Sequence, residues 1–411
     1  MVNIAVLGYG TVGSGVVEVI RTNPDSINKK AGQEINVKYV LDLRDFPGDP
    51  VEKILVHDFD VILNDPDVKI VVEVMGGVEP AYTFVKKSLL AGKSVCTSNK
   101  ELVAKHGPEL LEIARTKELN FLFEASVGGG IPIIRPLNSS LTADEILEIT
   151  GILNGTTNYI LSKMSADGQE FDAALKKAQE LGYAERNPEA DVEGYDACRK
   201  IAILSSLAFG DHVDFEEIYT EGISKITAVD IAYAKKMNYA VKLLASSKRE
   251  EDQYYAMVAP FLVPPTHPLF AVNDVFNAIF VKGNVLGDVM FYGSGAGKLP
   301  TASAVVSDVV DATKHLHRNI MSFWSSKKLG LTKVDKATRR FFVRIADASA
   351  GDPAKEPAGL AKVKAVFGEG ELVRADGVTG EFGFVTQAMT EEAFHEKCGQ
   401  IDGFLGRIRL L

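Results

Sequence analysis

Cysteine is scarce in this sequence, and its three copies, Cys96, Cys198 and Cys398, stand far apart with no CxxC or His-Cys spacing. That excludes a disulfide framework and a zinc site of ordinary ligand spacing, and it fits a reducing compartment. No uninterrupted apolar stretch of about 18 residues occurs, so no membrane span is expected. The N-terminus runs straight into Asn3–Gly8 without a basic and then apolar leader. Positive charge is also short: 45 basic against 55 acidic residues leave a formal charge of -10, with no basic stripe to follow a nucleic-acid backbone. Repeats and low-complexity tracts are absent. The expectation is a cytoplasmic protein whose partner is a small molecule, not a nucleic acid or a membrane.

What is present is enough chain for two or three full cores, since 411 residues is nearly three times the roughly 150 of one domain. From residue 1 to about 135, short apolar runs alternate with amphipathic stretches: Ile4–Leu7, Val37–Leu41, Ile70–Val74, Ser94–Thr97 and Phe121–Phe123. Strands alternating with helices imply an α/β fold with a doubly wound parallel sheet. From 136 to 298 the pattern changes to α+β, with strands expected at Ile146–Leu153, Tyr254–Phe261, Ala278–Val281 and Asp288–Tyr292. Helices are expected at Phe171–Leu181 and Tyr195–Phe209, on one face of an open sheet. A helical run from Thr301 to about His317 follows a Gly-rich turn. Beyond a polar stretch near 333, a compact α+β segment of about 70 residues is large enough to stand as its own domain.

The strand at Asn3–Leu7 runs into Gly8-Tyr9-Gly10-Thr11-Val12-Gly13 and an amphipathic helix. This is the GxGxxG turn in its required setting, where glycines let a pyrophosphate approach backbone N–H groups at a helix N-terminus. At the end of the second strand stand Asp42, which favours a free ribose 2′-hydroxyl, and Arg44, which favours a 2′-phosphate. The choice between NAD and NADP stays open. Thr97-Ser98-Asn99-Lys100 follows a strand of the same sheet, at the edge where ligands of open α/β sheets collect. Lys100 there either touches a ligand or caps a loop in solvent.

Glu124 to Pro132 carries Gly128-Gly129-Gly130 between apolar residues, a run suited to a backbone cage for a hard cation or to a flexible crossover. Leu181-Gly182-Tyr183-Ala184-Glu185 precedes Asp191-Val192-Glu193-Gly194 and Tyr195-Asp196-Ala197-Cys198-Arg199-Lys200. On a helix starting near Tyr195, Asp196 and Lys200 stand one turn apart. They form either an exposed ion pair or, where the apolar Ile201–Leu204 meets an acidic loop, a general acid/base.

Asn154-Gly155-Thr156-Thr157-Asn158-Tyr159-Ile160-Leu161, the 181–185 and 191–200 stretches, and Gly295-Ala296-Gly297 with Pro300-Thr301-Ala302-Ser303-Ala304-Val305 together resemble homoserine dehydrogenases, in that family's order. The resemblance covers about residues 1 to 325. It implies NAD(P)-dependent interconversion of L-homoserine and L-aspartate 4-semialdehyde, on the route from aspartate to threonine, isoleucine and methionine. It implies a Rossmann-type nucleotide-binding domain at 1–135, rejoined by a returning helix at about 299–325, and a catalytic and dimerisation domain at 136–298. By the same resemblance Lys200 is the proton donor to the aldehyde oxygen, and Lys100 contacts cofactor and reacting oxygen. Glu185 and Asp196 hold the substrate ammonium. Gly8, Gly10, Thr11, Val12, Gly13, Arg44, Ser98, Lys100, Gly182 and Gly295 line the cofactor, and the carbonyls of Glu124, Val127, Gly129 and Ile131 bind sodium. The segment 335–411 resembles an ACT domain with threonine as candidate effector, although its first turn is expanded over Ala348–Pro357. The family implies a homodimer or homotetramer. Two other readings stand beside this one: an amino-acid sensor on a Rossmann scaffold, and a dehydrogenase of another amino-acid-derived aldehyde.

Overall fold

The structure is a computed structural model that describes residues 1–321, 324–352 and 354–411. The chain divides into two compact units. The first is Met1–Leu147 with Arg199–Glu216 and Val281–Gly330; the second is Glu148–Cys198 with Glu217–Phe280 and Leu331–Leu411.

In the first unit, β1 (Val2–Leu7), β2 (Ile35–Leu41), β3 (Leu55–Val56), β4 (Val68–Glu73), β5 (Ser94–Thr97) and β6 (Phe121–Leu122) form a parallel sheet. Its order is β3-β2-β1-β4-β5-β6. Strands β1 and β4 are buried on both faces apart from Asn3 and Lys69, as parallel strands between helix layers are. The order reverses between β1 and β4, and this opens a crevice beyond their carboxyl ends.

The Thr11–Thr22 helix leaves β1 and packs on a helix at Lys298–Lys314. The latter was expected from Thr301 to about His317, or to 325 as a returning helix. It starts earlier because Pro300 is tolerated in a first turn, where no intrahelical N–H bond is lost. It ends at Lys314, with His315 closing it by bonding back to Asp311. Ser322 and Phe323 lie outside the described residues.

In the second unit, residues 148–151 pair antiparallel with the strand Ala240–Glu250, which in turn ladders along Gln253–Val263. Ala240–Glu250 was not among the expected elements. Its inward Lys242, only 2% exposed, donates to Asn158 Oδ1 (3.2 Å), Asn273 Oδ1 (2.9 Å) and the Val272 carbonyl. Burial pushes that ammonium down to about 8.

The C-terminal segment runs Phe341–Ala346, helix Leu360–Phe367, Glu371–Val373, Glu381–Val385, helix Glu391–Cys398 and Phe404–Leu410. This βαββαβ order, with antiparallel neighbours, is a ferredoxin-like plait. Phe341, Phe367, Phe382, Phe384 and Phe394 fill its core. Its sheet is not separate: Phe404–Leu410 lies parallel to Gln253–Val263, pairing Arg409 with Phe261 and Leu410 with Leu262. In the expanded loop, Asp347 accepts from the backbone of Ser349 and Gly359, both at 2.8 Å, while Pro353 lies outside the described residues.

Candidate active site

The glycine-rich turn sits at the switch between β1 and β4. Gly8 takes φ +97 and its N–H bonds to Leu41. A Cβ on Gly13 would fall 1.9 Å from the Gly8 carbonyl, so the turn closes only on glycine. Gly10 caps the helix that Thr11, Val12 and Gly13 begin, without a side-chain cap bond. Its first N–H groups are thereby left to an anion.

Gly8 and Gly10 border a cleft of about 530 Å³ with Asp42, Arg44, His57, Met75 and Gly76 on its walls. Within it, Asp42 accepts from the Tyr9 N–H at 2.8 Å and takes two bonds from the Arg44 guanidinium, each 2.9 Å. Hydrogen bonding to Arg44 holds the Asp42 carboxyl well below the usual carboxylate range. The two residues that were candidates for opposite cofactors are thus one ion pair, with Arg44 mostly exposed at its outer end.

Ser98 and Lys100 leave β5 at the same carboxyl edge, where Asn99 caps the Lys100–Thr116 helix by accepting from Leu102 N–H. Lys100 is its first residue and is half-buried. Next to it, Glu101 lies 3.8 Å from Arg199, the neighbour of Lys200. That contact brings the expected donor helix, Tyr195–Phe209, to the start of the Lys100 helix.

The Glu124–Ile131 loop is buried except for Gly130. The Glu124 carboxylate is already committed: it accepts from the N–H groups of Ile133 (2.6 Å), Ile134 (2.9 Å) and Arg135 (2.7 Å). Its own N–H reaches Asp308, whose carboxyl burial and the Glu124 charge push well up. Gly128 and Gly129 take φ +75 and +56 in succession, and a Cβ on Gly129 would meet the Gly295 carbonyl at 2.3 Å. Apart from the Ser126 hydroxyl, which donates to the Phe123 carbonyl at 2.6 Å, and the committed Glu124 carboxylate, the loop offers backbone oxygens. Among the described residues no cluster of three or more His, Cys, Asp or Glu side chains is placed to hold a metal. A neutral carbonyl donor set suits a hard cation and not a transition metal.

In the second unit, Asn154 does two things at once. Its Oδ1 caps the Gly155–Asp167 helix through Thr157 N–H, and its Nδ2 donates to Asp191 (2.7 Å) and to Asp196 (2.9 Å). Asp196 is 5% exposed. Glu185, expected beside it, stands exposed on the loop after Phe171–Glu180, its carbonyl held by Gln179. The carboxylates that the structure joins are Asp191 and Asp196. Asn154 and Asp191 had received no role in the sequence reading; the signal was an Asn directly before a helix and an acid one loop away. Gly182 takes φ +75 in that loop, which Thr156 fixes through the Tyr183 carbonyl at 2.6 Å.

Two family profiles match the chain. One, described as homoserine dehydrogenase, NAD binding domain, covers residues 8–124; the other, described as homoserine dehydrogenase, covers residues 132–310. Homoserine dehydrogenase of Synechocystis sp. is 47% identical over 317 residues, spanning 75% of this chain and 73% of that one. The chain belongs to the homoserine dehydrogenase family. It is an NAD(P)-dependent oxidoreductase by that membership. The crystal structure of a homoserine dehydrogenase from Thiobacillus denitrificans superposes with a TM-score of 0.88 at 36% identity, covering 100% of this chain and 98% of that one. A hyperthermophilic archaeal homoserine dehydrogenase in complex with NADPH matches at TM-score 0.66 and 30% identity, over 76% of this chain and 97% of that chain. Among the described residues no helix is long and apolar enough to cross a membrane.

Proposed function

We infer that the chain interconverts L-aspartate 4-semialdehyde and L-homoserine, with NADP or NAD. The observation that carries the substrate side of this reading is the Asn154 bridge. One amide nitrogen holds two carboxylates together, and two acids set side by side in this way suit one small ammonium group. Asp191 and Asp196 hold the amino end of the substrate, with Glu185 as a further acid on the neighbouring loop.

The nicotinamide, when bound, exchanges the hydride. The turn Gly8–Gly13 receives the pyrophosphate, supported by the N–H groups after Gly10, while Gly182, Gly295 and Ser98 flank the cofactor. Lys200 donates a proton to the aldehyde oxygen as negative charge develops there, and Lys100 orients that oxygen and the cofactor. Arg44 faces the ribose end, where the Asp42–Arg44 pair presents its cationic side outward; this favours NADP, and the NADPH complex of the archaeal relative supports it. The carbonyls of Glu124, Val127, Gly129 and Ile131 would hold a sodium ion that stiffens the loop. The enzyme works in the cytoplasm as a homodimer or homotetramer, on the route to threonine, isoleucine and methionine. The βαββαβ plait serves as an ACT-like regulatory module with threonine as effector.

One spectrophotometric assay tests the reading. Purified protein with aspartate semialdehyde is expected to consume NADPH faster than NADH, and threonine to slow it. No consumption of either cofactor would reject the reading, and a faster rate with another amino-acid-derived aldehyde would replace the substrate.

A further inference from the structure

Beneath the crevice between β1 and β4 lies a carboxylate that the proposed mechanism does not use. Glu73, the last residue of β4, is 0% exposed. Its Oε1 accepts from the Met75 N–H at 2.8 Å and its Oε2 from the Thr97 hydroxyl at 2.6 Å. Thr97 Oγ1 in turn accepts from Asn99 N–H at 3.0 Å, and Asn99 Nδ2 donates to the Gly77 carbonyl at 2.6 Å. Ser98 N–H bonds to the Glu73 carbonyl at 3.3 Å. The circuit is closed. It joins the Met75–Gly77 turn, whose Met75 and Gly76 wall the cofactor cleft, to the corner from which the Lys100 helix starts.

Thr97 holds the acid and the corner together, with one oxygen bonded both to Glu73 and to the Asn99 N–H. Burial drives the Glu73 carboxyl upward from its ordinary range, and the hydrogen bonds from Thr97, Met75, Asn99 and Gly76 offset that only in part. A position needed for packing alone would be better filled by an apolar group. A buried acid bonded to both turns has a use in holding them.

We propose that Glu73 is a positioning residue for the redox reaction, setting the Lys100 corner and the Met75–Gly77 turn as one unit. This rests on the reading that Lys100 serves the reacting oxygen.

The test uses the full-length protein in four forms: Glu73→Gln, Thr97→Val, Lys100→Ala and the double variant Glu73→Gln/Lys100→Ala. In Glu73→Gln the side chain keeps one acceptor oxygen in place of two, so it cannot serve both Met75 N–H and Thr97 as the acid does, and the corner loosens while the buried acid disappears. Turnover is expected to fall about 10- to 100-fold, the loss that a displacement of about 1 Å brings. The thermal midpoint at neutral pH stays level or rises. Thr97→Val, which cuts the same link without touching the acid, lowers turnover similarly. In the double variant the Glu73 penalty vanishes, because it acts through Lys100. Parental turnover in Glu73→Gln, a loss that tracks thermal destabilisation in both single variants, or a fully additive double variant would each overturn the proposal while leaving Lys100 in place. Parental rates in Lys100→Ala would overturn the Lys100 reading and the proposal with it, and a parent protein inactive on the semialdehyde would overturn the proposed function itself.

Discussion

Reduction of an aldehyde puts negative charge on one oxygen, and the group that meets this charge must be cationic and able to release a proton. Lys200 satisfies both conditions, and it stands half-buried one helical turn after Asp196. Lys200→Met keeps the length of the stem and removes the charge and the proton. Turnover is expected to drop by roughly 10² to 10⁴-fold, with cofactor affinity measured by fluorescence titration nearly unchanged. In the proposed function the carboxylates act at the other end of the substrate. Asp191→Asn is expected to raise KM for the semialdehyde far more than it lowers kcat, because the ammonium is held equally in ground and transition states. If Lys200→Met instead retained turnover within a few-fold of the parent, Lys100 would be left as the donor. A kcat effect equal to the KM effect in Asp191→Asn would move that acid from binding to chemistry.

At the scale of elements, the cofactor cleft depends on how closely the Thr11–Thr22 helix approaches its neighbour. A Cβ on Gly15 would lie 2.8 Å from the Lys298 carbonyl and 3.0 Å from Ala302 Cβ, so the two backbones nearly touch there. Gly15→Val is therefore expected to push the helix off Lys298–Lys314 and tilt the N–H groups that follow Gly10. KM for the cofactor rises several-fold in steady-state kinetics while KM for the semialdehyde changes little; equal changes in both would show that the helix position does not govern the cleft.

Such contacts are invisible to periodicity, and this separates what was legible from what was not. Ser94–Thr97 and Tyr195–Phe209 were expected with the ends they have, because each is an apolar pattern bounded by turn residues. Ala240–Glu250 escaped because its buried lysine breaks the apolar alternation, and oxygens that folding brings from Asn158, Val272 and Asn273 make that lysine tolerable. In the site, the glycine turn and the two lysines stand in recognisable strings. Asp191 beside Asp196 and Glu73 beneath Thr97 are joined only by folding, through Asn154 in one case and neighbouring strands in the other.

For the molecule as a whole, the C-terminal plait is coupled to its unit by buried charge as well as by the sheet. Arg409, with no exposed surface, donates to both oxygens of Glu391 at 2.6 and 2.7 Å and to Glu221 at 2.7 Å. Arg407 adds two bonds of 2.9 Å to Glu221. A plait built to stand alone would not bury an arginine whose second acid, Glu221, lies outside it. Burial works against the Glu221 charge, but the hydrogen bonds and charges of Arg407 and Arg409 outweigh it and bring the carboxyl from 4.5 down to about 2. A depressed carboxyl stabilises the fold above its unfolded value, so this contribution is complete above pH 4.5 and is lost as pH falls toward about 2. Denaturant midpoints measured across that window are expected to fall steeply in the parent and less steeply in Glu221→Gln. Arg409→Met leaves Glu391 buried with Arg339, at 3.6 Å, as its cation among the described residues, and is expected to cost roughly 3–5 kcal/mol at neutral pH. A loss below about 1 kcal/mol, the range of an exposed pair, would mean that water reaches Glu391 and that the plait is held by its strand pairing and by the Arg407–Glu221 and Arg344–Asp230 contacts without Arg409.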